Sequence, residues 1–133
     1  MSDNINTDIE LMTDFAIDVD DRENGITVLI KHNYYSSDNE NGISLLNSML
    51  DGLTLTADRI SLLILTDSAV KLLDTSDKLS ELISLVNMTL ICKDSAEFYN
   101  LELQEFPSTK VHVISMAEIT EHIIESRPEI IIE

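Results

Sequence analysis

From Gly25 onward, short β-branched apolar runs alternate with segments whose apolar residues return every three or four positions. ITVLIK (26–31) is the first run, and its near-continuous apolarity is that of a strand buried on both faces. The polar stretch HNYYSSDNENG (32–42) follows as a loop. Ile43, Leu46, Met49, Leu50 and Leu53 then make one face of a helix. ISLLILT (60–66) is the second strand. Leu79, Leu82, Ile83 and Val86 form the stripe of a helix over 76–86, with Thr75 or Ser76 placed to cap its first turn. MTLIC (88–92) is the third strand and DSAEFYNL (94–101) a short helix, with Asp94 as its cap. Asn100 is a residue that tolerates a left-handed helix exit. LELQEFPS (101–108) is a loop marked by Pro107. VHVIS (111–115), MAEITEHIIESR (116–127) and EIIIE (129–133) complete the series as strand, helix and strand. This alternation predicts an α/β fold: a small, doubly wound, mostly parallel five-stranded sheet with helices on both faces.

Residues 1–24 break the pattern. They carry eight acidic side chains, from Asp3 to Glu23, against one Arg22. Ile5, Ile9, Met12 and Ala16 have helical spacing, while Phe15, Ile17 and Val19 alternate as a strand does. The segment therefore reads as a mobile acidic arm ahead of a single domain over 25–133. DVDDRENG (18–25) has a faint look of a calcium loop, but Arg22 and Glu23 occupy the wrong loop positions and no Glu closes it.

Charge narrows the partners. The formal net charge is −17, with 25 acidic and eight basic residues. Phosphate neutralisation needs clustered Lys or Arg, so neither nucleic acid nor an anionic membrane surface is an expected partner. No apolar run approaches the roughly 20 residues that span a bilayer. MSDNINTDIEL is acidic where a signal peptide is basic, and a single cysteine suits a reducing compartment, so the expected location is cytoplasmic.

The chemistry gathers at one edge. His32, Thr66-Asp67-Ser68, Cys92 and Ser115 each follow a predicted strand, and parallel strands bring these ends together beside any ligand. Cys92 is the one strong nucleophile among them. Lys93 and the first-turn N–H groups of the following helix favour a thiolate, whereas Asp94 and Glu97 oppose it. The alternative is a packed, inert thiol, since free cysteine is among the most buried residue types. His32, His112 and His122 share no ligand spacing, so no zinc site is expected. With only Gly25, Gly42 and Gly52 there is no phosphate loop, and no nucleotide or other cofactor is implied. Ser68 lacks the flanking glycines of a nucleophile elbow. Asp67, at a strand end, is placed to cap the next turn or to orient a partner, and capping is the commoner role.

Three segments also carry a resemblance. DSAVKL (67–72) follows a strand and is similar to N-S-G-V-K-L. CKDSAEFYNL (92–101) is similar to C-G-T-C-L-x-x-x-x-L, and VHVISMAEI (111–119) to V-x-x-V-T-N-M-x-x-I, ahead of a final apolar strand. In this order they resemble the DsrE/DsrF-like family, most nearly the DsrE-like domain of YedF-type proteins associated with selenium metabolism, over about residues 25–133. The resemblance implies a sandwich around a parallel sheet, assembled as a homo-oligomer, either trimer or hexamer. It also implies a sulfur relay in which Cys92 carries sulfane sulfur as a persulfide, exchanged with a donor or acceptor protein. His32, Asp67, Ser68, Lys93, Ser95 and Ser115 are the candidate substrate-binding residues around it. Ser95 stands at the second cysteine of C-x-x-C, so no local dithiol resolves the persulfide. Ala69, Lys93 and His112 replace glycines, and the acidic arm stands where a TusA-like domain precedes the YedF-type domain. Two functions follow: a sulfur carrier working through Cys92 alone, or a binding and assembly module of the same fold without transfer chemistry.

Overall fold

The computed structural model describes residues 25–103 and 109–133; the acidic arm, the calcium-loop-like run up to Asn24 and the segment around Pro107 lie outside the described residues. The chain runs β1 (Ile26–Ile30), α1 (Glu40–Leu55), β2 (Ile60–Leu65), a 3-10 turn (Asp67–Lys71), α2 (Leu72–Thr75), α3 (Asp77–Leu85), β3 (Thr89–Cys92), α4 (Lys93–Phe98), β4 (Val111–Ile114), α5 (Met116–Ser126) and β5 (Ile130–Ile132). A further 3-10 turn, Ala57–Arg59, leads into β2. All five predicted strands are present, and every pairing between them is parallel.

The sheet order is β4-β3-β2-β1-β5. The apolar runs sit in the middle of it: Val28, Ile30, Leu63, Ile64, Leu65 and Ile91 are fully buried. Each such side chain contributes about 1.5–3 kcal/mol of burial, which is why β-branched runs take the central places. The edge strand β4 is thinner, with His112 and Val113 exposed.

Three successive connections step one way across the sheet, and the last returns from β4 to the far edge beside β1. Right-handed crossovers then put α1, α3 and α4 on one face and α5 on the other. In keeping with this, α1 packs on α3. The carboxyl ends of β3 and β4 therefore send the chain to opposite faces. Such a divergence opens a crevice at the sheet edge, the usual ligand position in an open α/β sheet.

Local chemistry sets the helix ends. Ser76, not Thr75, caps α3, its Oγ accepting from Leu79 N–H at 3.1 Å. The α3 stripe is buried as its spacing predicts. Helix α1 starts earlier than its apolar stripe: Asn39 caps it by accepting from Gly42 N–H at 2.9 Å. Gly42 turns inward where Ile43 was expected, and Ile43 is exposed. A Cβ on Gly42 would overlap the carbonyl oxygen of Ser37, so the preceding loop packs on this turn only because the side chain is absent.

Candidate functional site

Helix α4 begins one residue before its expected start, and Cys92 rather than Asp94 caps it. Cys92 Sγ accepts from Ser95 N–H at 3.4 Å. The last residue of β3 thus becomes the N-cap of α4, so its sulfur faces the partial positive charge of a helix start. Asp94 is used elsewhere: its Oδ2 accepts from Met116 N–H at 2.8 Å, tying the start of α4 to the start of α5. The helix ends three residues short of the predicted 101, and Asn100 takes the expected left-handed turn with φ 56°.

Cys92 lies on the wall of a pocket of about 340 Å³ lined by Thr66, Asp67, Cys92, Asp94, Ser95, Phe98, Tyr99 and Met116. This is the crevice where β3 and β4 part. Cys92 is nonetheless only 1% exposed, and Met116 Sδ rests 4.0 Å from its Sγ. Asp67 and Asp94 are the charged side chains on the lining, and both are acidic.

Neighbouring strand ends are stitched together around this pocket. Ser95 Oγ accepts from Asp67 N–H at 2.8 Å while Ser95 N–H serves Cys92, so one serine joins the ends of β2 and β3. That contact helps hold Asp67 at φ 50°, a left-handed conformation that aspartate tolerates better than most residues. Asp67 does not cap the following turn. Its carboxylate instead accepts from Tyr99 Oη at 3.0 Å and faces His32 Nδ1 at 3.4 Å. Burial, the hydrogen bond to Asp67 and that carboxylate's charge, with a smaller contribution from Tyr34, push the Tyr99 phenol above its ordinary value of 10.0. Lys71 Nζ lies over the Tyr99 ring at 5.0 Å from its centroid.

His32 and Ser68 stand behind the pocket rather than in it. Ser68 Oγ lies 3.3 Å from His32 Nδ1 and accepts from Asn33 N–H at 3.1 Å. Ser68 and Asp67 both address the same ring nitrogen. A hydrolytic triad needs serine and carboxylate on opposite nitrogens, so this cluster does not make a nucleophilic serine. Its ring stacked on Tyr34 at 4.9 Å, His32 connects the end of β1 to the end of β2.

Of the sequence candidates, Cys92, Asp67 and Ser95 meet in the pocket, and His32 and Ser68 are joined to it through Asp67. Ser115 caps α5: its Oγ accepts from Glu118 N–H at 3.2 Å, and Glu118 Oε1 accepts from Ser115 N–H at 3.2 Å. Lys93 is exposed on the first turn of α4 and does not line the pocket. Thr66 lines the pocket beside Asp67, at the edge where the strand ends placed it; Asp94, Phe98, Tyr99 and Met116 were missed as lining residues. Helical spacing signals Tyr99, four residues after Ser95 on the same face. Met116 carried a signal too, since it follows Ser115 at a strand end.

Among the described residues, no group of three or more His, Cys, Asp or Glu is arranged to hold a metal ion, and no helix is long and apolar enough to cross a membrane. Comparison with protein-family models, curated proteins and solved structures gave no match.

Proposed function

We propose that this chain is a sulfur-relay protein that carries sulfane sulfur on Cys92. The observation that supports this reading most is the position of the sulfur. Sγ is an N-cap acceptor at a helix start, on the wall of a pocket at the carboxyl edge of a parallel sheet. The N–H of Ser95 donates to the sulfur there. In the loading step the Cys92 thiolate attacks the outer sulfur of a donor persulfide. A bond forms to Sγ, the donor's S–S bond breaks, and the electron pair leaves on the donor thiolate. In unloading, an acceptor thiolate attacks the same outer sulfur and Cys92 returns as thiolate. No external oxidant enters either step.

The test is intact mass after incubation with an alkyl persulfide. The carrier gains one sulfur atom, loses it to excess dithiothreitol, and gains none as Cys92→Ser. A wild-type chain that never gains sulfur, while remaining folded, sinks the carrier reading. The second reading, a binding and assembly module without transfer chemistry, is favoured by one observation: Cys92 is only 1% exposed.

Self-assembly as a trimer or hexamer belongs to the same proposal. Phe98 (76% exposed), Ile124 (68%) and Ile131 (48%) leave apolar surface for a subunit contact. Light scattering that returns a monomer at physiological salt removes this part. A donor or acceptor protein in the cytoplasm completes the reading.

A further inference from the structure

Resting on Cys92 as the reacting group, we propose that Met116 sets access to its thiol, with Asp94 as the latch that holds Met116 in place. Cys92 lines a 340 Å³ pocket and yet is 1% exposed; Met116, which lines the same pocket, is 37% exposed. Sγ and Sδ meet at 4.0 Å, with the thiol S–H placed as a weak donor to the thioether sulfur. A sulfur atom added to Sγ would sit about 2.05 Å from it. On the line toward Met116 that atom would come within about 2 Å of Sδ, far inside contact distance. Loading therefore requires either a swing of the methionine or an approach from the remaining side of the pocket.

Met116 is built for the swing. Its backbone is fixed twice, by the 2.8 Å bond from its N–H to Asp94 Oδ2 and by the Ser115–Glu118 capping box one residue before it. Its side chain is unbranched, with three rotatable bonds, and partly in solvent, where rotamers exchange fast. The backbone stays while the thioether moves. Such an opening is narrow. It admits a sulfur presented at the tip of a slender arm, as in an alkyl or cysteine persulfide, and holds back a sulfur flanked by an aromatic ring. Met116 is thus a specificity-determining residue for the size of the donor.

Because the chain holds a single cysteine, any thiol label reports on Cys92 alone. The experiment compares alkylation rates with iodoacetamide and with a bulky N-aryl maleimide in wild type, Met116→Ala, Met116→Leu and Asp94→Ala, with the urea stability of each measured alongside. The expected result is a gain of about tenfold or more in the maleimide rate for Met116→Ala, as a local opening is made easy, with a smaller gain for iodoacetamide. Met116→Leu should stay near wild type, and Asp94→Ala should shift the ratio of the two rates in the same direction as Met116→Ala. An unchanged ratio in Met116→Ala overturns the proposal, whether neither rate rises or both rise together as in a general loosening. If that variant does not fold, the same ratio in Asp94→Ala decides it. No sulfur donor is used, so failure of the gate and failure of sulfur loading are seen separately.

Discussion

Tyr99 donates its hydroxyl hydrogen to Asp67 Oδ1 at 3.0 Å, and this bond joins α4 to the turn after β2 across the mouth of the pocket. The bond spans 32 residues of sequence and ties the helix after β3 to the turn after β2. The contact also explains why Asp67 leaves the capping role that its position suggested. A carboxylate engaged by a phenol and facing His32 has no free geometry for the first N–H groups of its own turn.

The Tyr99 phenol is therefore expected to ionise above pH 10.0, as burial and the Asp67 contact both oppose the phenolate. Ultraviolet titration in a Tyr34→Phe, Tyr35→Phe background reads this group alone. Adding Asp67→Asn removes the charge and weakens the hydrogen bond, so the midpoint should fall toward the ordinary value without reaching it, because burial still opposes the phenolate. The sign for stability follows from linkage. With the folded value raised, the folded state holds the proton longer, and this group's contribution is full below pH 10 and is lost as pH rises above it. A midpoint unmoved by Asp67→Asn would contradict the contact.

The capping box of α5 gives a second expectation. Ser115→Ala leaves the N–H of Glu118 without its side-chain acceptor, and the cost should be about 1 kcal/mol by urea denaturation. Because Met116 is the first residue of this helix, the same variant should also raise the reactivity of Cys92. No change in either quantity would show that the first turn is held by the Asp94 bond alone.

Charge should select among small thiol reagents. The pocket's charged lining is Asp67 and Asp94, and the chain carries a formal −17. A cationic methanethiosulfonate should therefore modify Cys92 faster than an anionic one of equal size, by about tenfold or more at low salt. The gap should close in 1 M salt, where the screening length falls to about 3 Å. Equal rates at low salt would mean that Lys93 and Lys71 neutralise the approach.

The strands were legible because a buried parallel strand has few sequence alternatives: ITVLI, ISLLIL and TLIC read as apolar runs with turn chemistry at both ends. The stripe of α3 was legible for the same reason, four apolar positions at helical spacing. Sequence also brought Asp67 and Cys92 to one edge, since each lies at the end of a strand, whereas Ser95 entered through the C-x-x-C resemblance. The cap exchange was not legible. Spacing alone does not tell whether Cys92 or Asp94 caps the helix, because the outcome depends on Met116 N–H arriving from a distant segment to engage Asp94. Gly42 was hidden likewise: its inward face is decided by the loop carbonyl of Ser37, not by hydropathy. Long-range polar pairing, rather than apolar patterning, is what a single chain of letters withholds.

The account stands on a thiol that is covered and still reachable in the folded protein. Its most direct test is the alkylation rate of Cys92 as a function of urea, well below the unfolding transition. A rate that stays flat at low urea reports a local opening around Cys92 in the folded protein and is the predicted result. A rate that falls with the population of globally unfolded chains all the way to zero urea would mean that the folded protein never exposes its sulfur, and the relay on Cys92 could not operate.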